Sequence, residues 1–507
     1  MCDWPQRIEI VVIGKEDRSV RVSQLPRLLP GIHSPLSDSA EDSRIAGIAH
    51  DSRRVKPGFV FVAISGTQRD GADFAADAIE RGAVAVVAER RIALPRPAPL
   101  YVVQDARRAL AALAAAFQGR PSRRIEVIGV TGTNGKTTTA CMIRSILEAA
   151  GRPCGLLGTI SYETGKRSLP ASITTPESVD VQEFLADMWR SDMKYAAMEV
   201  SSHALCMRRV DFVQFAAGVF TNLAPEHLDY HGNMTAYREA KARLFRALGP
   251  AAHAVINADD PSGAAMARAT FANVVRYGIR KQADVSAKVR ETTIEGTRFR
   301  LRTARGGVDV AMPLIGLHNV YNALAAAAAL LSLGLDLDAV RAGLETMPFV
   351  PGRLETIPND RGYKVLVDYA HTDQALEAVL SSLRPLTHKR ILVVFGAGGD
   401  RDRSKRPRMG RAVERGADLA WVTSDNPRSE EPGAIIAEIL DGVQSRKRIR
   451  IQPDRQVAIE DAIRSARPGD LVLIAGKGHE RTQRFKDTVV PFDDREAVRR
   501  VFGAALS

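Results

Sequence analysis

The sequence predicts an α/β protein of about three domains, built on largely parallel sheets. Three observations point there. The chain has 507 residues, and at roughly 150 residues per domain that makes about three. Short β-branched runs alternate with alanine-rich helical stretches, the pattern of strands joined by crossover helices. Towards the C-terminus four apolar runs, VLVDYA, ILVVFGAGGD, LAWVTSD and LVLIAGKGHE, each end in polar residues. Open α/β sheets bind ligands beyond the carboxyl ends of their strands, so these four clusters should converge on one crevice.

Composition sets the outer bounds. Hydrophobic residues make up 45% and charged residues 26%, which excludes a disordered chain, a disulfide-stapled miniprotein and a collagen-like rod. Lys plus Arg (71) exceed Asp plus Glu (59), giving a net charge of +12. That balance suits nucleic acid, a membrane surface or small anionic substrates. Cys2, Cys141, Cys154 and Cys206 show no CxxC spacing, so they read as free thiols in a reducing compartment. The N-terminal apolar run is broken by Glu9 and has no cleavage site, unlike a signal peptide. The longest uncharged stretch, His318 to Leu335, contains Asn319 and Asn322 and reads as a buried core helix rather than a membrane span. The expectation is a soluble, cytoplasmic protein.

Along the chain, residues 1–20 read as an extension and 21–121 as a first α/β unit. The second unit, 122–348, opens on the strand IEVIGV and includes an antiparallel stretch from Val285 to Leu314, then the alanine-rich helix. The segment MPFVPGRLE, with two prolines and a glycine, is a linker into the third unit, 349–507.

IEVIGVTGTNGKTTTACMIRSILEAAG is a strand, a glycine loop and a helix, the context of a phosphate-binding loop. The strict GxxxxGK[ST] pattern fails because Val130 stands at the first glycine, but Gly132, Gly135, Lys136 and Thr137 remain. The glycines let backbone N–H groups turn inward to hold phosphates, Lys136 reaches the β/γ oxygens, and the Thr137 hydroxyl can ligate Mg²⁺; Thr133, Asn134 and Thr138 count with them as ATP-binding residues. ATP binding is the expectation; the plain alternative is a tight glycine turn entering a helix. Glu199 ends the apolar run YAAMEV and His227 ends GVFTNLAPEH. Both should lie at the mouth of this loop, where a carboxylate and an imidazole can hold Mg²⁺.

TGTNGKTTT, EVSSHAL, TNLAPEHLDYHG, YREAKARLF, GLHNVYNALAA, VPGRLE, VDYAHT, FGAGGDRDRSKRP, SDNPRSEEP and AGKGHE follow one another in that order. This series resembles the Mur ligase family, and within it the ligase adding the third amino acid to the UDP-linked muramoyl peptide. The resemblance runs from about residue 23 to the C-terminus. It implies a small α/β UDP-sugar-binding domain, a central P-loop ATPase domain with a mostly parallel sheet, and a C-terminal Rossmann-like domain that takes the amino acid.

Residue by residue, the resemblance implies the following. Lys241 matches the family's carbamylated lysine, which completes a metal set with Thr137, Glu199 and His227. Asn319 and Asn322, which share a helix face, lie against the adenine, and Arg353 joins the nucleotide site. Asp368 and His371 face the ATP phosphates from the third domain. Ser52, between Asp51 and Arg53, and Thr67, Gln68 and Arg69 serve the UDP-sugar. Thr174, Thr175, Ser201 and Arg209 hold the dipeptide, Arg209 as a carboxylate clamp. Arg401, Asp425, Asn426, Pro427, Arg428, Gly476 and Glu480 form the amino-acid pocket. There Arg428 would recognise the side-chain carboxylate that diaminopimelate has and lysine lacks, and Glu480 would pair the amine.

Two departures stand out. Glu226 replaces the usual aspartate, leaving the role of that carboxylate open, and Asp373 replaces a proline, which should relax its loop.

The implied reaction passes the γ-phosphoryl group to the D-glutamate side chain, and the amine then displaces phosphate. Lys136, His371 and Mg²⁺ stabilise charge while domain closure assembles the site. The expected partners are small molecules only, with no nucleic acid and no membrane, for a monomer. Rival readings are a lysine-adding ligase of the same family, a folylpolyglutamate synthase-like ligase lacking the first domain, a basic P-loop ATPase acting on nucleic acid, and a non-catalytic UDP-sugar-binding protein. Aromatic residues make up only 6%, which disfavours the stacking platforms that single-stranded nucleic acid needs.

Overall fold

Three separate α/β sheets follow one another along the chain in a computed structural model, which describes residues 20–35, 42–66 and 69–503. Thr67, Gln68, Cys2 and all but the last residue of the expected N-terminal extension lie outside the described residues.

The first sheet holds β1 (Ile32–Pro35), β2 (Gly47–Ala49), β3 (Phe59–Val62), β4 (Ala85–Ala88) and β5 (Leu100–Val103), in the order β1-β5-β4-β3-β2. Only β1 runs antiparallel. Helix Ala106–Phe117, capped by the Asp105 carboxylate, buries an almost unbroken alanine and leucine face against it.

The central sheet carries β6 (Glu126–Thr131), β7 (Cys154–Leu157), β8 (Ser161–Glu163), β9 (Ser168–Pro170), β10 (Tyr195–Glu199) and β11 (Phe215–Phe220). It continues through β12 (His253–Asn257), β13 (Asn273–Gly278), β14 (Val285–Thr293), β15 (Gly296–Thr303) and β16 (Gly306–Met312). The order is β16-β15-β14-β13-β12-β11-β6-β10-β7-β8-β9. Strands β14 to β7 are parallel, and antiparallel hairpins close both edges, one being the stretch expected from Val285 onward.

From β6 the chain crosses to β7, returns to β10 beside β6, and then passes to β11 on the other flank. The carboxyl end of β6 is therefore the switch point where such sheets open a crevice. Helices cover both faces. Helix Leu317–Ser332, the alanine-rich stretch, is buried together with helix Lys136–Ala149 on one face. Helices Ser178–Arg190 and Met234–Arg246 cover the other. Among the described residues no helix is long and apolar enough to cross a membrane.

The third sheet comprises β17 (Glu355–Ile357), β18 (Lys364–Asp368), β19 (Ile391–Phe395), β20 (Leu419–Val422), β21 (Ile449–Ile451) and β22 (Leu471–Ala475). Its order is β17-β18-β22-β19-β20-β21, antiparallel only at β17. The four apolar runs thus become adjacent parallel strands, and their polar ends meet at one edge.

Two buried arginines tie that edge together. Arg455, fully buried with Asp494 at 2.7 Å, donates to the carbonyls of Ala475 (3.0 Å) and Ser424 (3.5 Å). Arg406 clamps Glu430 with two 2.8 Å bonds and reaches Glu438 at 2.8 Å and the Gly398 carbonyl at 3.2 Å. This joins the loop after β19 to the loop after β20.

The Arg406 guanidinium holds the Glu430 carboxyl down at about 2, against an ordinary 4.5. A depressed carboxyl stabilises the fold above its unfolded value and loses that contribution as pH falls through the folded one. Wild-type stability should therefore drop between about pH 4.5 and 2. Glu430→Gln should unfold at lower temperature at neutral pH and show a shallower drop over this interval. Thermal unfolding followed against pH checks this.

Candidate active site

The buried strand β6 delivers residues 132–135 to the switch point. Gly132 and Gly135 have φ of +151° and +85°, and an added Cβ would fall 1.8 Å from Thr221 Oγ1 and 2.3 Å from Asn322 Oδ1. Both conformation and space therefore require glycine. Helix Lys136–Ala149 starts directly after Gly135 with no side-chain cap, so its first N–H groups face the mouth, as an anion site needs. Thr138 is buried in that first turn.

The loop is laced to the end of β11. Thr133 N donates to Asn222 O (2.9 Å), Asn134 N to Asn222 Oδ1 (3.0 Å) and Thr221 Oγ1 to Asn134 O (2.6 Å). Lys136 Nζ bonds the carbonyls of Gly132 (3.0 Å) and Thr133 (2.8 Å).

Beside the loop, Glu199 ends β10 almost fully buried. Its carboxylate accepts from Thr137 Oγ1 (3.0 Å), Thr159 N (2.7 Å) and Thr159 Oγ1 (3.1 Å).

Lys241 is buried on helix Met234–Arg246, with Nζ donating to Gly132 O at 2.8 Å and lying 4.4 Å from the Tyr237 ring centroid. Burial pushes its amine well below the ordinary lysine value, and nearby Lys136 adds to the shift. His227 stands in a left-handed conformation (φ 56°) at the end of the β11 loop, Nε2 3.7 Å from Glu226 Oε2. The Glu226 carboxylate favours the charged forms of His227, Lys241 and the third domain's His371. Among the described residues no three His, Cys, Asp or Glu side chains converge to grip an ion by themselves.

The third domain meets this mouth through its linker. Arg353 stacks 4.8 Å from the Tyr369 ring centroid, with Nη2 3.5 Å from Thr137 Oγ1. Asp368 is buried, and its carboxylate accepts from Leu354 N and Ala370 N, each at 2.8 Å. Oδ2 holds the linker next to Arg353, while Oδ1 fixes the carboxylate's own loop at Ala370, so in this arrangement both oxygens are engaged within the third domain.

Burial lowers the His371 imidazole below its ordinary value, helped by Lys405, while Glu226 and Asp425 oppose the shift. With its proton on Nδ1, the neutral ring donates to Tyr369 O (2.8 Å) and leaves Nε2 free. It then offers a lone pair rather than a positive charge. The loop after it is not slack. Thr372 caps helix Asp373–Leu383, and Asp373 pairs with Arg408 at 2.8 Å.

Asn319 and Asn322 form a buried chain from Ile315 O to Asn319, to Asn322 and on to Thr139 Oγ1. This brings the alanine-rich helix against the glycine loop.

In the third domain, Arg428 is held in a left-handed conformation (φ 53°). Its Nη1 donates to Gly399 O (2.5 Å). Burial and the neighbouring Arg401 both push its guanidinium down. Asn426 Nδ2 donates to Glu480 Oε2 at 2.8 Å. Asp425 Oδ2 would lie 2.7 Å from a Cβ on Gly476, and the Pro427 carbonyl 1.8 Å from one on Gly399.

The dipeptide residues cluster beside Glu199. Thr175 Oγ1 bonds Glu199 O (2.9 Å) and Ser201 Oγ (3.3 Å), and the Thr174 and Thr159 hydroxyls lie 3.2 Å apart. Arg209 is already engaged, with Glu177 at 2.6 Å and Thr175 O at 3.1 Å. In the first domain Ser52 is buried, Arg53 pairs with Asp51 at 2.7 Å, and Arg69 is exposed. Arg54 reaches Asp180 of the central domain at 3.5 Å, so this loop docks beside the dipeptide cluster.

A UDP-N-acetylmuramoyl-L-alanyl-D-glutamate--2,6-diaminopimelate ligase of Syntrophomonas wolfei is 46% identical over 477 residues, 93% of this chain and 98% of its own. The chain belongs to the Mur ligase family. Ligases of the same description from Geobacillus kaustophilus (46%, 90% of this chain, 94% of its own) and Solibacter usitatus (44%, 92% and 95%) are similar. Residues 44–118 match the Mur ligase family catalytic domain, 130–330 the Mur ligase middle domain and 352–478 the Mur ligase glutamate ligase domain. A solved structure of such a diaminopimelate ligase is 32% identical, with TM-score 0.68 over 96% of this chain and 99% of that one. Mycobacterium tuberculosis folylpolyglutamate synthase, complexed with ADP and AMPPCP, shares the fold at 22% identity (TM-score 0.61, 78% of this chain, 95% of that one).

Several residues that build this Mur ligase site escaped the sequence reading. Tyr237 lies one turn before Lys241 and under its amine, an i,i+4 relation that was visible. Thr159 binds Glu199 from a loop with no motif of its own. Lys477, inside AGKGHE, is fully buried between Asn426 and Glu480.

Proposed function

We propose that this Mur ligase joins 2,6-diaminopimelate, as the meso isomer, to the D-glutamate side chain of UDP-N-acetylmuramoyl-L-alanyl-D-glutamate at the expense of ATP. The observation carrying the reading is that the linker into the third domain brings Arg353 to 3.5 Å from Thr137 of the glycine loop, while Glu226 beside that loop and Asp425 of the amino-acid group both act on His371. Identity of 46% with a diaminopimelate ligase, across nearly the whole chain, supports it. The three units, 21–121, 122–348 and 349–507, take the UDP-sugar, ATP and the amino acid respectively. The protein is read as a cytoplasmic monomer acting on small molecules, with no nucleic acid or membrane partner.

Mg²⁺ suits the donors present, a threonine hydroxyl and a buried carboxylate 3.0 Å apart, because it prefers hard oxygen ligands and keeps several of its waters. Thr137 and Glu199 would hold one ion. His227 and a carbamate on Lys241 would serve a second, the carbamate forming when the neutral amine adds CO₂ and releases a proton. Bound there, the ions neutralise charge on the phosphoryl oxygens.

The D-glutamate carboxylate oxygen attacks the γ-phosphorus and ADP leaves, with Lys136 and Arg353 facing the phosphates. The diaminopimelate amine then attacks the acyl carbon, phosphate departs, and the nitrogen loses a proton. Neutral His371, with Nε2 free and the charges of Glu226 and Asp425 both favouring its protonation, takes up that proton. Charge stabilisation accordingly falls to Lys136 and Arg353. The reading is tested by ATP turnover that requires both cosubstrates, with an amide product of the summed mass less water. ATP turnover that needs neither would overturn it.

A further inference from the structure

We infer that Lys477 is a positioning residue for the amine end of the incoming amino acid, an inference that rests on the amino-acid pocket proposed above. The strand β22 ends at Ala475, and two glycines follow on either side of Lys477, with φ of +119° at Gly476 and +54° at Gly478. Neither glycine can carry a side chain. A Cβ would fall 2.7 Å from Asp425 Oδ2 at Gly476, and 2.8 Å from Tyr369 Cβ at Gly478. This doubly left-handed turn, closed by Glu480 N donating to Lys477 O at 2.9 Å, turns the lysine inward to full burial.

Its ammonium donates to Glu480 Oε2 at 3.0 Å and Asn426 Oδ1 at 3.2 Å, while Asn426 Nδ2 donates to the same Glu480 oxygen at 2.8 Å. The three side chains close a triangle. Asn426 Oδ1 also accepts from Arg484 N at 3.1 Å, so two donors fix its amide with the oxygen inward and the nitrogen towards Glu480. Both inward donors therefore fall on Oε2, leaving Oε1 of a partly exposed carboxylate to receive an ammonium group. Without Lys477 the amide is free to flip and the carboxylate to swing, and the substrate amine must order both on binding.

The test is steady-state kinetics of the full chain carrying Lys477→Met, Glu480→Gln and both, with Lys477→Gln as a shorter donor and thermal unfolding as a control. Lys477→Met should raise KM for diaminopimelate about tenfold while leaving KM for ATP within about twofold. Adding it to Glu480→Gln should cost little more, since the two act through one contact. Lys477→Gln should recover part of the loss.

Additive effects overturn the proposal, as does an unchanged KM for diaminopimelate in Lys477→Met when Glu480→Gln raises it. Loss of the folded state in both lysine variants overturns it in favour of a structural role. If Glu480→Gln also leaves that KM unchanged, the amino-acid pocket itself is misplaced, a failure distinguishable from the others.

Discussion

Replacing Lys241 with alanine is expected to lower kcat by about 10²–10³-fold, the usual cost of removing one preorganised charge stabiliser, and high acetate should restore much of the loss. A lysine with only 1% of its surface exposed would normally pair with a carboxylate. Here its nearest partners are a backbone carbonyl at 2.8 Å and an aromatic face. Burial and Lys136 both disfavour the ammonium form, so the amine is available in the neutral form that adds CO₂. The resulting carboxylate would turn a repulsive neighbour of Lys136 into an attractive one and supply a hard oxygen ligand. Alanine leaves a cavity into which a small carboxylate can diffuse. A loss of activity that acetate does not restore at all, in a variant that still binds ATP, would contradict the carbamate.

Replacing Arg428 with methionine is expected to lower kcat/KM for diaminopimelate by about 10²–10³-fold and to change turnover of lysine far less. Arg428 is held in place from three sides. Its backbone N–H donates to Arg484 O at 3.0 Å, its carbonyl accepts from Lys486 N at 2.5 Å, and Nη1 donates to Gly399 O. Burial drives the guanidinium below its ordinary value, and the second positive charge of the neighbouring Arg401 adds to the shift. Neither arginine has a carboxylate partner within 4.0 Å among the described residues. A substrate carboxylate relieves this repulsion, so diaminopimelate gains what lysine cannot. Equal losses on both amino acids would mean that Arg428 serves the fold of the loop rather than its specificity.

How much of this was legible in the sequence follows from how local each signal is. The glycine loop, the residues at strand ends and the four convergent strands are written in contiguous stretches, where chain direction alone says which end of a strand carries chemistry. Strand order is not local. That β22 enters between β18 and β19, and β10 between β6 and β7, depends on pairing between segments far apart. The partners of single side chains were hidden for the same reason. Asp368 is spent on Leu354 N, 14 residues upstream, and Arg209 on Glu177, which sits 32 positions earlier. Neither separation leaves a trace in a motif. The asparagine pair was correctly placed on one helix face, but only the fold shows that this face meets the glycine loop. Lys477 could have been found, because two glycines just after a buried strand permit the positive-φ turn that aims the lysine between them inward.

The most direct measurement is phosphate release from ATP in the presence of UDP-N-acetylmuramoyl-L-alanyl-D-glutamate, with diaminopimelate compared against lysine at equal concentration. Release that depends on diaminopimelate, with lysine slower by orders of magnitude, is the expected result. Release with lysine alone would contradict the specificity assigned to Arg428, and release with neither amino acid would contradict the ligase reading itself.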